Sequence, residues 1–295
     1  LIVYIDSYFQ YFFKFNITGN AYNGFRLNSF FGSELKLGSF VVRLTPILIG
    51  LILYNFKDSY FIRFFLIFIL INSFIIALLS GERVAFFLLL LYLLGFFVLT
   101  NIRLNYKILT ILIILPVISF ITISNKEVRH RMIDSTINQL FDKNNLNYFY
   151  ISRSHSGTFI TAFNMFLDKP YIGIGVKNFR VLCNENKYWN KSNKIQKNED
   201  GSIIKNEYGC FTHPHNNYIQ LLAETGLIGF LIILIFFVII LYILIRHFFF
   251  LFIPTKKNKL LTNYQISFYL AILITLLPLI PSGNFFNNWL SAILF

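Results

Sequence analysis

Two histidines, His213 and His215, lie shortly before an apolar segment that begins at Leu227. Histidine titrates near neutral pH, so its neutral ring can accept the proton of an attacking hydroxyl group. The amide of Asn216 and the hydroxyl of Tyr218 can orient this ring or a substrate through hydrogen bonds. A base at the edge of an apolar segment indicates chemistry on a substrate that is anchored in lipid.

Arg83 offers a positive charge for such chemistry. It follows Ser80, Gly81 and Glu82 and stands at the start of the apolar segment 84–100. The planar guanidinium group donates paired hydrogen bonds to phosphate oxygens, and charged groups at membrane depth are commonly functional. The alternative is an interfacial arginine whose only role is to reach the headgroup region. We favour phosphate binding.

The composition predicts an all-α polytopic membrane protein. Apolar residues make up 56% of the chain and charged residues 13%, which does not fit a soluble domain. A helix needs about 20 apolar residues to cross a bilayer. Six segments meet this requirement: 39–56, 61–79, 84–100, 108–124, 227–245 and 264–281. The chain begins without Met and ends inside apolar sequence, so we expect a fragment that lacks N-terminal spans.

Basic residues in the short connections predict the orientation of the spans, because such loops stay in the cytoplasm. The basic residues in question are Lys57, Arg63, Arg103, Lys107, Arg246, Lys256, Lys257 and Lys259. This topology divides the chain into a membrane region at 1–124 with an external N-terminal segment, a large external loop at 125–226, and C-terminal spans at 227–295. The net charge of +13 reflects topology and loop solvation. It does not indicate nucleic-acid binding, because the sequence contains no module on which bases could stack.

Cys183 and Cys210 are the only cysteines, and both fall in the large loop. Two thiols in an oxidising compartment commonly pair, so we expect a disulfide that closes the polar segment between them. Two free thiols are the alternative. A zinc site is disfavoured, since a single thiol near His213 and His215 makes a poor ligand set.

The same loop contains an ordered part. Apolar residues at helical spacing predict a helix over 157–168, with Ser156 as its cap and Lys169-Pro170 as its end. Gly173 and Gly175 follow. Two glycines at this spacing permit either a tight packing turn or a phosphate cradle, and we favour the packing turn because no further glycine completes a phosphate-binding motif.

These elements, in this order, resemble the O-antigen ligase and polymerase family. The resemblance rests on Ser80-Gly81-Glu82-Arg83, on the segment 163–175, and on His213-Pro214-His215-Asn216 continuing to Gly229; segments 26–32 and 278–288 are also similar. It implies a bacterial inner-membrane glycosyltransferase of the C-type architecture, a helical bundle with a large periplasmic loop over the active site. The glycan donor would be carried by undecaprenyl pyrophosphate, with no metal or other cofactor.

The resemblance also implies roles for individual residues. His215, directly before Asn216, would be the catalytic base, and Arg83 would stabilise the departing pyrophosphate. Arg153 would be a second catalytic arginine, although its register is shifted and Arg129, Arg131 or Arg180 are alternatives. The substrate-binding candidates are His213, Asn216, Tyr218, Glu224 and Arg180. Glu224 can equally be an orienting or packing residue.

Two functions within the family share the donor site and differ in the acceptor. A ligase transfers the finished glycan to the lipid A core in lipopolysaccharide assembly, whereas a polymerase joins lipid-linked repeat units. The form of the His-Asn motif and of the Asp-x-Pro motif at 168–170 favours the ligase. A solute transporter is the third possibility, and the scarcity of charge within the six apolar segments argues against it.

Overall fold

The computed structural model describes residues 1–22, 24–56, 59–141, 153–189, 209–252, 260–278 and 280–286, and for 139–141 and 153–156 it describes the backbone only. Lys57, Lys256, Lys257 and Lys259 of the predicted cytoplasmic connections lie outside these residues, as does most of the polar segment between the two cysteines. The contacts divide the chain into two compact units. The first comprises Leu1–Asn138 and Ile240–Thr275, and the second comprises Gln139–Ile239 and Leu276–Phe295.

Helices make up the regular structure of the described residues, apart from one isolated bridge between Phe15 and Ala21. The helices are α1 Ile2–Phe13, α2 Leu37–Asn55, α3 Tyr60–Leu79, α4 Arg83–Leu99, α5 Leu104–Ser124, α6 Lys126–Arg129, α7 Ser135–Phe141, α8 Arg153–Asp168, α9 Phe179–Leu182, α10 Asn217–Phe250 and α11 Asn263–Thr275. A π-helical turn at His130–Asp134 joins α6 to α7. The predicted all-α class is confirmed.

Four described helices, α2, α3, α5 and α10, are long and apolar enough to cross a membrane. A helix suits this environment because it satisfies its own backbone hydrogen bonds. The apolar helix α4 is shorter, with 17 residues. The prediction of a sixth span over 264–281 is wrong as a continuous helix, because α11 ends at Thr275 after 13 residues. The chain is a polytopic membrane protein.

Polar side chains join the helices inside the first unit. Tyr92 on α4 shares a hydrogen bond of 2.8 Å with Ser267 on α11. Ser267 donates in turn to the carbonyl oxygen of Pro46 on α2, at 2.7 Å. Helix α11 therefore binds both α2 and α4 through a buried polar chain.

The predicted external segment at 1–38 contains a helix that packs against α3 inside the first unit. On α1, the hydroxyl of Tyr4 lies 2.7 Å from that of Ser73 on α3. Tyr8 donates to the side-chain oxygen of Asn72 at 2.5 Å, also on α3. Sequence periodicity did not indicate α1, because its buried face is polar rather than apolar.

The second unit has its core around α8 and the first turns of α10. Ala162 and Met165 of α8 are buried with Phe179 and Ala223. Helix α8 begins at Arg153, so the prediction of a start at 157 with Ser156 as the cap is wrong. Its end at Asp168, before Lys169-Pro170, agrees with the prediction.

Candidate functional site

The turn at 80–83 in the first unit is held by the carboxylate of Glu82. This carboxylate accepts hydrogen bonds from the backbone N–H groups of Gly38, at 2.8 Å, and Ser39, at 3.0 Å. The hydroxyl of Ser39 donates to it as well, at 2.5 Å. Glu82 thus binds the otherwise unpaired N–H groups at the start of α2. Burial raises the pKa of Glu82 above its ordinary value.

Arginines bind the backbone of the same turn from both sides. The Nε of Arg26 donates to the carbonyl oxygen of Ser80 at 2.7 Å, and the Nε of Arg131 donates to that of Gly81, also at 2.7 Å. Arg26 also lies 3.9 Å from the Glu82 carboxylate. These contacts connect the loop before α2 and the π-helical turn after α6 to residues 80–83.

Arg83 completes this group. It is the first residue of α4, and its guanidinium donates to the hydroxyl of Thr136 at 3.3 Å. The pKa of Arg131 is lowered by burial and then by the positive charge of Arg83, so the two guanidinium groups lie close enough to repel. Three arginines therefore lie at the turn 80–83, two of them bound to its backbone and the third as the first residue of α4. Because the N-terminus of a helix also attracts negative charge, this end of the unit suits a phosphate group.

Arg131 was not the favoured candidate of the sequence analysis. It was one of several alternatives for the second loop arginine, with Arg153 preferred. The structure brings Arg131 to residues 80–83 in the first unit, whereas Arg153 begins α8 and its side chain lies outside the described residues. No local pattern reveals a contact between residues 50 positions apart.

The segment 212–217 in the second unit is held by neutral groups. The side-chain oxygen of Asn216 accepts from the backbone N–H groups of Tyr218, at 3.0 Å, and Ile219, at 3.1 Å. This is the geometry of a helix N-cap, here at the start of α10. The Asn216 amide nitrogen donates to the carbonyl oxygen of Ile280 at 3.3 Å. Asn216 therefore serves to position the segment.

His215 has a positive φ of 59°, a backbone conformation that turns the chain sharply before α10. Its carbonyl oxygen accepts from the N–H of Ser282 at 2.8 Å. The ring centroids of His213 and His215 lie 4.2 Å apart, and the Phe211 ring packs edge-on against His215 at 5.6 Å. Both imidazoles are half-buried. The hydroxyl of Thr212 lies 3.0 Å from Nδ1 of His213.

Tyr218 and Glu224, two of the substrate-binding candidates, contact the protein itself. The buried Tyr218 donates its hydroxyl proton to the carbonyl oxygen of Leu276 at 2.7 Å. The carboxylate of Glu224 accepts from the N–H of Phe179, at 3.1 Å, and from the amide of Gln220, at 3.0 Å. Direct substrate contact stays a prediction for both residues, and the observed contacts favour the orienting role that the sequence allowed for Glu224.

The two glycine motifs of the second unit meet backbone to backbone. The N–H groups of Ile174 and Gly175 donate to the carbonyl oxygens of Ala223, at 2.9 Å, and Glu224, at 3.0 Å. A Cβ atom on Gly173 would lie 2.4 Å from the backbone carbon of Glu224. Gly226, with a φ of 65°, interrupts α10 at this contact. Because these N–H groups are bound to carbonyls, the segment is a packing turn, as the sequence favoured over a phosphate cradle.

A disulfide joins Cys183 to Cys210, the pairing that the sequence predicts, with 5.0 Å between the Cα atoms. It connects α9 to the segment that leads into His213. The indole N–H of Trp189 donates to the carbonyl oxygen of Cys183 at 3.0 Å. Arg180, the remaining candidate, is an exposed residue of α9. The disulfide thus attaches the histidine segment to the packed part of the second unit.

Among the described residues, no group of three or more His, Cys, Asp and Glu side chains is arranged to hold a metal ion. The chemistry that these residues can perform themselves is anion binding at the arginine cluster and proton transfer at the histidine pair.

Comparison with known proteins adds one finding to this geometry. Residues 65–234 match the sequence profile of the family described as O-antigen ligase. The matched range covers more than half of the chain and includes Arg83, Arg131, His213, His215 and Glu224. No curated protein matches the chain.

Proposed function

Because this chain belongs to the O-antigen ligase family, whose members are glycosyltransferases acting on lipid-linked glycans, we propose that it transfers a glycan from undecaprenyl pyrophosphate to an acceptor hydroxyl. The observation that supports this donor best is the arginine cluster at 80–83. Arg26 and Arg131 bind the backbone of this turn, and Arg83 follows it as the first residue of α4. A pyrophosphate that leaves with its negative charge needs such donors.

The proposed reaction forms one bond and breaks one. The acceptor oxygen bonds to the anomeric carbon of the donor glycan, while the bond between that carbon and the pyrophosphate oxygen breaks. His215 takes the proton of the acceptor hydroxyl. Arg83 and Arg131 stabilise the charge that the undecaprenyl pyrophosphate carries away. Both tasks are performed by side chains of the protein, without a cofactor.

We propose the ligase reaction, with the lipid A core as the acceptor. The form of the histidine motif supports this choice. The same donor site would serve a polymerase, for which the acceptor is a second lipid-linked repeat unit. An assay that offers each acceptor separately distinguishes the two reactions.

The decisive experiment uses the purified chain, a lipid-pyrophosphate glycan and an acceptor in proteoliposomes. We expect His215→Ala to lower the transfer rate by about 10² to 10⁴, the usual contribution of a general base. Arg83→Lys keeps the charge and loses the paired donation, so it should lower the rate by about 10². His130→Ala and Arg246→Lys, at exposed positions, are the matched controls and should retain the parent rate. Activity within a few-fold of the parent in His215→Ala would remove the proposed base.

We further propose that the loop 125–226 faces the periplasm of the bacterial inner membrane. The basic connections support this orientation. The test places single cysteines at the exposed positions Val176 and Asn105 and leaves the disulfide-bonded pair intact. An impermeant thiol reagent should label Val176→Cys in intact cells and Asn105→Cys only after lysis. The reverse pattern would overturn the proposed topology.

A further inference from the structure

A cavity of about 530 Å³ lies in the first unit, where α2 and α4 end and where α3, α5 and α11 begin. It is lined by residues from all five helices and from the α4–α5 connection. These helix ends are opposite to the ends that bear residues 80–83, since α3 finishes and α4 starts there. The cavity is therefore separate from the arginine cluster of the proposed donor site.

The mouth of the cavity is basic and aromatic. Arg63 and Arg103 both contribute guanidinium groups to its lining. The guanidinium of Arg63 lies 4.9 Å from the ring centroid of Tyr106, which also lines the cavity. Such a cation–π contact holds the positive charge at one place at the helix ends. The mouth therefore favours an anionic group.

The interior of the cavity is apolar. Leu66 and Leu70 of α3 and Phe96 of α4 line it. Leu70 is ten residues beyond the start of α3 at Tyr60, so at 1.5 Å per residue the apolar lining reaches about 15 Å along the helix. This depth equals about one leaflet of a hydrocarbon core of about 30 Å. A ligand that fits both parts has an anionic head and an apolar chain.

The orientation proposed above places this mouth at the cytoplasmic surface, where the membrane carries anionic lipids. Basic pockets between transmembrane helices on that side bind acidic headgroups. We propose that the cavity is a binding site for an anionic phospholipid of the cytoplasmic leaflet. The headgroup phosphate lies at Arg63 and Arg103, and one acyl chain lies against Leu66, Leu70 and Phe96. The site holds a lipid that is neither donor nor acceptor of the proposed transfer.

The test is native mass spectrometry of the delipidated full chain in detergent, with phosphatidylglycerol or phosphatidylcholine added at equal concentration. We expect the protein to retain phosphatidylglycerol preferentially. Each of Arg63→Ala and Arg103→Ala should weaken this binding about fivefold, since a basic residue near an anionic surface contributes about 1 kcal/mol. Arg246→Ala removes an exposed charge that does not line the cavity and should leave the binding unchanged. Equal retention of both lipids, or no effect of either arginine, would overturn the proposal.

A second comparison separates a lipid from a free phosphate. Glycerol 1-phosphate has the charged group without the acyl chains, and we expect it not to displace phosphatidylglycerol. Displacement at equal concentration would show a simple anion site and contradict the assignment. Leu70→Trp narrows the apolar interior and should weaken lipid binding with both arginines present. Arg103 is exposed, so Arg103→Ala should leave the fold intact if Leu70→Trp does not. Glycan transfer by Arg103→Ala is measured in a separate assay. It tests the proposed function independently of lipid binding, because the cavity is separate from the proposed donor site.

Discussion

The two candidate-site segments are positioned by opposite kinds of chemistry. Residues 80–83 are surrounded by charge, with Arg26 and Arg131 on the turn's carbonyl oxygens and the carboxylate of Glu82 on α2. Residues 212–217 are held by the amide of Asn216 and by the backbone N–H of Ser282, both neutral groups.

This difference corresponds to the tasks proposed for the two segments. A pyrophosphate is negative before, during and after its departure, so a site for it gains from permanent positive charge. A proton acceptor must start the reaction neutral, and amides or backbone groups can orient an imidazole without adding a charge beside it. Residues 80–83 should therefore depend on charge, and residues 212–217 on neutral contacts.

Among the contacts that position the two segments, the largest effect is expected at Arg131. Arg131→Ala removes a donor to the turn and a charge beside Arg83, so we expect glycan transfer to fall by about 10². Combined with Arg83→Ala, the loss should be smaller than the product of the two single losses, because the arginines act on the same group. Lys126→Ala, exposed in the neighbouring helix α6, is the control. Transfer at the parent rate in Arg131→Ala would restrict the charged site to Arg83.

The next largest effect is on the stability of the second unit alone. The Cys183–Cys210 disulfide closes a sequence separation of 27 residues, and its loss in Cys183→Ser with Cys210→Ser should cost about 3 kcal/mol of stability there. Hydrogen exchange should accelerate in α9 and in 210–217 and stay unchanged in α2. Equal acceleration in both units would show that the disulfide does not act locally. Non-reducing peptide mass spectrometry tests the pairing itself.

A smaller effect is expected from the helix cap. Asn216→Ala removes the acceptor of the Tyr218 and Ile219 N–H groups and should destabilise the start of α10 by about 1 kcal/mol. Amide exchange at these two positions measures the change. Asn216→Ser keeps an acceptor and should recover most of the protection. Protection that stays at the parent level in Asn216→Ala would show that the cap does not hold this segment.

The smallest effects are on the pH dependence of stability, and they come from two carboxylates with opposite pKa shifts. Burial raises the pKa of Glu82 above 4.5, whereas the hydrogen bond from Tyr188 lowers the pKa of Asp168 below 3.8. The Glu82 contribution to stability is therefore complete below pH 4.5 and lost as the pH rises through its folded pKa. The Asp168 contribution is present above pH 3.8 and lost as the pH falls through its folded pKa.

Infrared titration of the carboxyl band checks these directions, with Glu82→Gln and Asp168→Asn to assign each signal. We expect the Glu82→Gln spectrum to lose a component that titrates above pH 4.5. Asp168→Asn should lose one that titrates below pH 3.8. Two components that titrate on the same side of their ordinary values would contradict the opposite pKa shifts of these two carboxylates.

The sequence alone determined the membrane class, most of the helical segments and the family, because apolar length and short motifs are local properties of a chain. It also indicated the packing turn at Gly173 and the end of α8 at Asp168. Its errors, at the sixth span and at the start of α8, concern helix ends, where local pattern is weakest.

The tertiary structure alone decided which distant residues serve each segment. Arg26 and Arg131 reach the turn at 80–83 from positions 54 and 50 residues away. Ile280 and Ser282 reach Asn216 and Asn217 across similar separations, 64 and 65 residues. Hydrogen bonds of this kind depend on how the helices pack and leave no periodic signal in the chain. The sequence therefore identifies the reactive side chains, and only the packing of the helices shows which groups hold them in place.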